Sequence, residues 1–390
     1  MSLAVMHFLR TPLLLAVALI LVTGTLPAQK KKKTTDDSGY VPVILPDTKK
    51  KSKDENTQTL PPPKELPSAV FAETDHLSFE VSALSSKGLL SAQTREALRA
   101  LLRTSRGTIV KLRAFVAGSG DLRRVGELVG ETFTERHVPL PALSVAQVGA
   151  LPLEGAQVVI ETTEVEKKVV NPNGLAFLSG QSAPSVSQSI EKLKSALHAG
   201  GMEPADVLRV TCFVSSLDEQ RDTHQLMAAS FPGAALNHVQ MQREPVTPAS
   251  ECEAVARLRA PATEAVKFLN PPNLDSSPNY SQVALVTSPK LVITGTQLAF
   301  GSQESDLKLA FDRLQRALSS SSARFDRVVM SHVYVTSSAI TPRVRTVRAN
   351  YYNAAHPPAS TLLPFEGLPS VDASFGVDVV AIADSSSARK

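Results

Sequence analysis

The 390-residue sequence has no tryptophan, five tyrosines and two cysteines. So few flat aromatic side chains argue against a protein that stacks bases, and two cysteines do not make a small disulfide-stapled scaffold. No histidines stand at HxH or HExxH spacing, and CxxC, GxSxG and the lysine-containing phosphate loop are all missing. Their absence removes the commoner zinc, thiol-redox, serine-hydrolase and nucleotide chemistries, so no metal or cofactor is expected. Most of the chain also lacks an excess of either charge. The net +4 lies in the first 66 residues, which hold ten basic and six acidic side chains, while the remaining 324 hold 31 of each. A folded part without a basic excess is poorly suited to a phosphate backbone, and no nucleic-acid partner is expected. With 43 % hydrophobic and 20 % charged residues, the chain reads as globular, with room for two or three domains.

The first 28 residues read as a secretory signal: Arg10, an apolar run from Leu13 to Val22, then Thr23 to Ala28. The run is too short to span a bilayer, so cleavage after Ala28 and export to the periplasm or beyond are expected, with an uncleaved anchor as the alternative. Residues 29–67 carry Lys30 to Lys33, Lys49 to Lys51 and Pro61 to Pro63 with little apolar periodicity. They form a solvated tether, able to touch a membrane or cell wall through its lysines. Export gives Cys212 and Cys252 an oxidising compartment in which to pair. Adjacent strands often hold cysteines too close or badly angled for a bond, however, so two buried free thiols are the expectation.

Beyond residue 68 one order of elements recurs three times: strand, amphipathic helix, branched strand, second helix, two closing strands. The first helical faces are Ala97, Leu98, Leu101 and Leu102; Ile190, Leu193 and Leu197; and Leu307, Phe311, Leu314 and Leu318. Ser91 is expected to cap the first of these helices, Gly200-Gly201 to end the second, and Asp121 to cap a helix after the Gly118-Ser119-Gly120 turn. Branched strands follow at Ile109 to Val116, Leu208 to Val214 and Val328 to Val335, marked by Phe115, Phe213 and Tyr334. The repeats divide the chain at 68–166, 167–262 and 263–385.

The run Pro141-Ala142-Leu143-Ser144 through Leu151-Pro152 resembles the "PARS…VEVARLP" segment of the RidA (YjgF) enamine/imine deaminases. Phe177-Leu178-Ser179-Gly180-Gln181 resembles that family's "FVSGQ" strand, Tyr280-Ser281-Gln282 its "PYSQ" start, and Glu251 to Ala256 its "EIEAIA" closing strand. The resemblance implies an α+β, chorismate-mutase-like fold, with each repeat a mixed sheet carrying two helices on one face. Family members form homotrimers, so three fused copies imply a monomer closed as an intramolecular pseudo-trimer.

The family's hydrolysis of 2-imino acids uses an Arg whose planar fork grips the substrate carboxylate, together with a carboxylate near the imine. Carried onto this sequence, the Arg falls on Leu143, Leu236 and Ala359, none of which binds an anion, although Arg243 could reach the second. The carboxylate falls on Val159, Glu251 and Asp378, so Glu251 and Asp378 are the candidate catalytic residues. Ser82, Ser179 and Thr294 keep the family's small hydroxyl, and with Tyr280 they are the candidate ligand-binding residues. His238 stands where many members have Cys and is read as structural. The triple loss of Arg implies a scaffold or a small-molecule binder that uses inter-domain clefts. The alternative is a deaminase or related hydrolase acting on an altered substrate through the third copy.

Overall fold

The computed structural model describes residues 65–218, 220–243 and 249–384; the signal and nearly all of the tether lie outside them. In chain order the strands and helices are β1 (Ala69–Glu73), β2 (Leu77–Val81), α1 (Leu90–Thr104), β3 (Gly107–Ala117), α2 (Leu122–Glu135), β4 (Ala142–Val148) and β5 (Val158–Glu166). Next come β6 (Leu175–Ala183), α3 (Val186–Ala199), β7 (Val207–Val214), α4 (Gln220–Ser230), β8 (Ala235–Gln240) and β9 (Ser250–Arg257). The last stretch holds β10 (Val266–Leu269), β11 (Val283–Val286), β12 (Lys290–Thr294), β13 (Gln297–Phe300), α5 (Glu304–Ser320), β14 (Ala323–Val335), α6 (Thr341–Arg348), β15 (Ala359–Pro364) and β16 (Ala373–Ala383). The fold is mixed α+β. Among the described residues no helix is long and apolar enough to cross a membrane.

Three sheets result, in the orders β2-β5-β3-β4, β10-β11-β6-β9-β7-β8 and β1-β12-β16-β14-β15, with β13 also paired to β16. In each sheet the branched strand (β3, β7 or β14) is antiparallel to the closing strand (β5, β9 or β16). It is parallel to β4, β8 or β15. A parallel step needs a crossover, which α2, α4 and α6 supply. The branched strands are buried along nearly their whole length, as expected of strands covered on both faces. One face meets the helices: three separate apolar clusters hold α1 and α2, α3 and α4, and α5 and α6 against their own sheets.

The other faces meet one another. Phe115, Phe213 and Tyr334 converge there with Phe365, whose ring centroid lies 6.3, 5.8 and 5.3 Å from theirs. The contacts also run in a cycle, with β2 packed on β8, β6 on β15 and β12 on β4. The third sheet thereby closes back onto the first.

Two segments cross from one repeat to another repeat's sheet. β1, read with the first repeat, pairs with β12 in the third sheet, and β10 and β11, read with the third repeat, extend the second sheet through β6. Sequence repeats identify elements, whereas strand pairing is non-local, so repeat limits and sheet limits differ here. Of the expected caps, Asp121 accepts from the Arg123 N–H. Gly201, at φ 75°, closes α3 with Gly201 N–H to His198 O and Met202 N–H to Leu197 O, both 3.0 Å. Ser91 is not a cap. The helix begins one residue earlier, and Gln93 secures its first turn by donating to the carbonyls of Gly88 and Gly155.

The free-thiol expectation is corrected: Cys212 and Cys252 form a disulfide. They stand directly opposite each other in β7 and β9 with Cα atoms 4.1 Å apart. That is the close pairing of an antiparallel ladder, where facing side chains meet.

Candidate functional site

Where the three sheets meet, charged side chains recur at matching positions. Two residues before the aromatic markers stand Arg113, Thr211 and His332, and opposite them on the closing strands stand Glu161, Glu253 and Asp378. Arg113 donates from Nε to Glu161 at 2.8 Å, and from Nη2 to Glu253 at 2.6 Å and to Thr211 at 3.1 Å. Glu161 accepts further bonds from Thr211 and Asn237, each 2.7 Å. Asp378 accepts from Ser144 at 2.6 Å and from His332 and Tyr334 at 2.9 Å. Lys111 lies 3.7 Å from Asp378 and donates to Ser144 and to the Thr294 carbonyl, both at 2.6 Å.

Burial alone would raise the carboxyls of Asp378 and Glu253. Lys111 and His332 more than offset it at Asp378, and Arg113 and His332 at Glu253, so both are held well below the usual range. Burial pushes Lys111 down to about 8 against the attraction of Asp378. These groups pair mainly with one another, around a small cavity of about 30 Å³ that Lys111, Arg113, Glu161, Arg209, His332 and Asp378 line. The signal for this cluster was present in the sequence: Lys111-Leu-Arg113, Arg209-Val-Thr211 and Met330-Ser-His332 all stand at one offset from the aromatic markers.

The structure corrects the carry-over in the third repeat. Leu143 faces Leu112 and Leu236 faces Val210, each three residues before the aromatic marker; the matching pair is Ser331 and Ser360, so the residue in register with Leu143 and Leu236 is Ser360, not Ala359. Ala359 instead matches Ala142 and Ala235. Asp378 likewise matches Glu161 and Glu253, whereas the residues in register with Glu251 are Val159 and Gly376. Of these three positions only Glu251 carries a carboxylate.

Glu251 stands on β9 of the second sheet, opposite Ser182 of β6 and Phe213 of β7. Ser182 Oγ donates to its carboxylate, and a side chain at Gly180 would collide with it, so glycine there makes its room. Burial raises its carboxyl to about 7, with Glu253 adding to the shift. Tyr280 lies within electrostatic range: burial raises its hydroxyl, and Glu251 and Asp275 add to this while Arg345 opposes it. Ser179 completes the junction, donating to the Ser281 carbonyl at 2.6 Å and accepting from the Ser360 N–H at 2.7 Å. Glu251, Ser179 and Tyr280 are therefore brought together, along with Gly180, Ser182 and Ser360, which the sequence reading did not single out as site residues.

The other candidates lie elsewhere. Thr294 bonds the Val379 backbone at the junction of the third and first sheets, and Asp378 belongs to the central cluster. Ser82 accepts from the Ile160 N–H at 3.0 Å, which is strand pairing. His238 is buried against His224, ring centroids 6.0 Å apart. Arg243 does not turn to Leu236; its Nε donates to the Gly149 carbonyl, and it lines an open cleft of about 610 Å³ beside Asp121 and Arg124 that holds none of the candidate site residues.

A carboxyl whose folded pKa exceeds its unfolded value is favoured as the acid, and ionising it costs stability as pH rises from the unfolded value through the folded one. For Glu251 that window runs from about 4.5 to about 7. Glu251→Gln is expected to gain stability over the parent as pH climbs through this window, by up to about 3 kcal/mol above it. Urea unfolding of both proteins across the pH range checks this; a difference that does not vary with pH would count against a half-buried, neutral-leaning Glu251.

Comparison with known proteins places a family domain in the last third of the chain. The family described as endoribonuclease L-PSP matches residues 272–383. Among solved structures, the chain is similar to YyfB of the Rid family from Yersinia pestis, at 19 % identity over 30 % of this chain and 99 % of that one, TM-score 0.29. It is also similar to Rv2704 of the YjgF/YER057c/UK114 family from Mycobacterium tuberculosis, at 15 % identity over 30 % and 99 %, TM-score 0.23. No curated protein matches the sequence. Tyr280, Ser360, Gly376 and Asp378 lie within the residues that match the endoribonuclease L-PSP family.

Proposed function

We propose that this is an exported RidA-like protein of three fused copies, closed as one pseudo-trimer, that binds a small molecule or serves as a scaffold and does not hydrolyse 2-imino acids. The observation that carries this reading is the residue set Leu143, Leu236 and Ser360 at the three register-matched positions of the family's Arg. Without the guanidinium fork a substrate carboxylate loses two charge-assisted bonds of roughly 1.5–3 kcal/mol each, a loss on the order of 10² to 10⁴ in affinity. The basic side chains nearest the three-sheet junction, Lys111, Arg113 and Arg209, already face Glu161, Glu253 and Asp378 and offer no replacement. The tether would act as a solvated spacer between the signal and the folded part.

A second reading, hydrolysis of an altered substrate, rests on Glu251. Its carboxyl, raised to about 7 by burial, is suited to exchange a proton near neutral pH, and Tyr280 lies within its electrostatic range. The site for this reading is the junction of the second and third sheets. With 2-iminobutanoate generated in place by an amino-acid oxidase, the wild-type protein is expected to leave the imine decaying at its uncatalysed rate. Turnover matching an Arg-containing family member would put the hydrolase reading first.

A further inference from the structure

We propose that Arg348 anchors a binding site for a short-chain carboxylate, in a cleft between the end of α6 and the turn leading to Tyr280. Arg348 is 2 % exposed, yet its Nε and Nη2 have no hydrogen-bond partner. These two donors share one edge of the guanidinium, the edge that binds a carboxylate with two parallel bonds. Buried donors are nearly always satisfied, and a buried cation without an opposite charge is costly, so the pair of orphans is a feature to be accounted for. The Tyr352 ring lies 5.1 Å from Cζ, and burial lowers the Arg348 pKa with Arg345 pushing the same way and only Tyr352 opposing. No carboxylate enters this balance.

Arg348 lines a cleft of about 50 Å³ together with Pro278, Asn279, Tyr352, Ala354 and Pro357. That volume admits a carboxylate with a short carbon chain. The guanidinium suits the charged head, while the two prolines and the alanine suit a hydrocarbon tail better than a solvated dianion such as phosphate. The inference does not depend on the non-catalytic reading, because the cleft is built from α6, the residues after it and Pro278-Asn279, and neither Glu251 nor Ser179 lines it.

The test is thermal unfolding of the full chain titrated with sodium butyrate, with sodium chloride and inorganic phosphate at matched ionic strength beside it. Butyrate is expected to raise the wild-type midpoint saturably, since a ligand that binds only the folded state stabilises it. Arg348→Met is expected to abolish that shift. Ala354→Leu, an exposed substitution that narrows the cleft, should weaken butyrate binding at least about tenfold while leaving the ligand-free midpoint unchanged, and it decides the matter should Arg348→Met not fold. No saturable rise in the wild type, a shift that survives Ala354→Leu, or equal protection by phosphate would each overturn the assignment. The imine-hydrolysis assay reads the other site, so the two readings fail separately.

Discussion

Arg113→Met is expected to destabilise the protein by about 3–5 kcal/mol, one of the largest losses available to a single substitution in this chain. The guanidinium is 4 % exposed at the side chain and holds two carboxylates that are each 1 % exposed. Methionine fills most of the space but leaves Glu161 with Arg209 at 3.8 Å, and Glu253 with Arg209 at 3.8 Å and His332 at 3.4 Å. The loss reflects stranded charge more than the net worth of the pairs, so removing the charges together should cost far less. The triple variant Arg113→Met, Glu161→Gln, Glu253→Gln is expected to recover most of the lost stability. The deficit of the single variant should also shrink in acid, where the two orphaned carboxyls take up protons. Denaturant unfolding of the single and triple variants checks both points. A single variant within about 1 kcal/mol of wild type would mean that the central cluster is not a closed electrostatic unit.

The elements of each repeat were legible in the sequence because their signals are local. Phe115, Phe213 and Tyr334 mark equivalent strands, and the apolar faces of α1, α3 and α5 repeat with helical period. The register of the third repeat was not legible, for a physical reason. A strand presents the same face every second residue, so a slip of two preserves the alternation of buried and exposed positions. Matching Glu251 with Asp378 is such a slip, whereas the ladder places Glu251 in register with Gly376. It moved the candidate carboxylate from Gly376 to Asp378. The one-residue error between Ala359 and Ser360 arose because a serine at 360 suits the place of Ser144, which the ladder gives to Thr361. The exchange of β1 and β11 into neighbouring sheets was hidden because strand partners are set by contacts distant in sequence. The cysteine pairing was hidden likewise, since it depends on Cys212 and Cys252 falling opposite each other in register.

The register also relocates the substitution that should restore anion binding. Ser360→Arg, on the strand that abuts Ser179 and in the same junction as Glu251, is expected to raise affinity for 2-oxobutanoate by about 10² or more. Glu251 would oppose this less than a fixed charge, because near neutral pH about half of its population is protonated at a pKa of about 7. Ala359→Arg should give no such gain, since Ala359 faces Met330 and is fully buried. Calorimetric titration of both variants separates the two positions, and a gain in Ala359→Arg alone would contradict the register assignment of the site.

The account turns on three sheets from a single chain closing one ring, with β12 of the third returning to β4 of the first. In the proposed pseudo-trimer such a ring would satisfy its interfaces internally, with no need of other copies. Light scattering coupled to size exclusion measures this directly: the full chain is expected at the mass of one copy, 41.6 kDa, independent of concentration. A mass of three chains would contradict it, because the faces assigned to one another within the chain would then be meeting between chains.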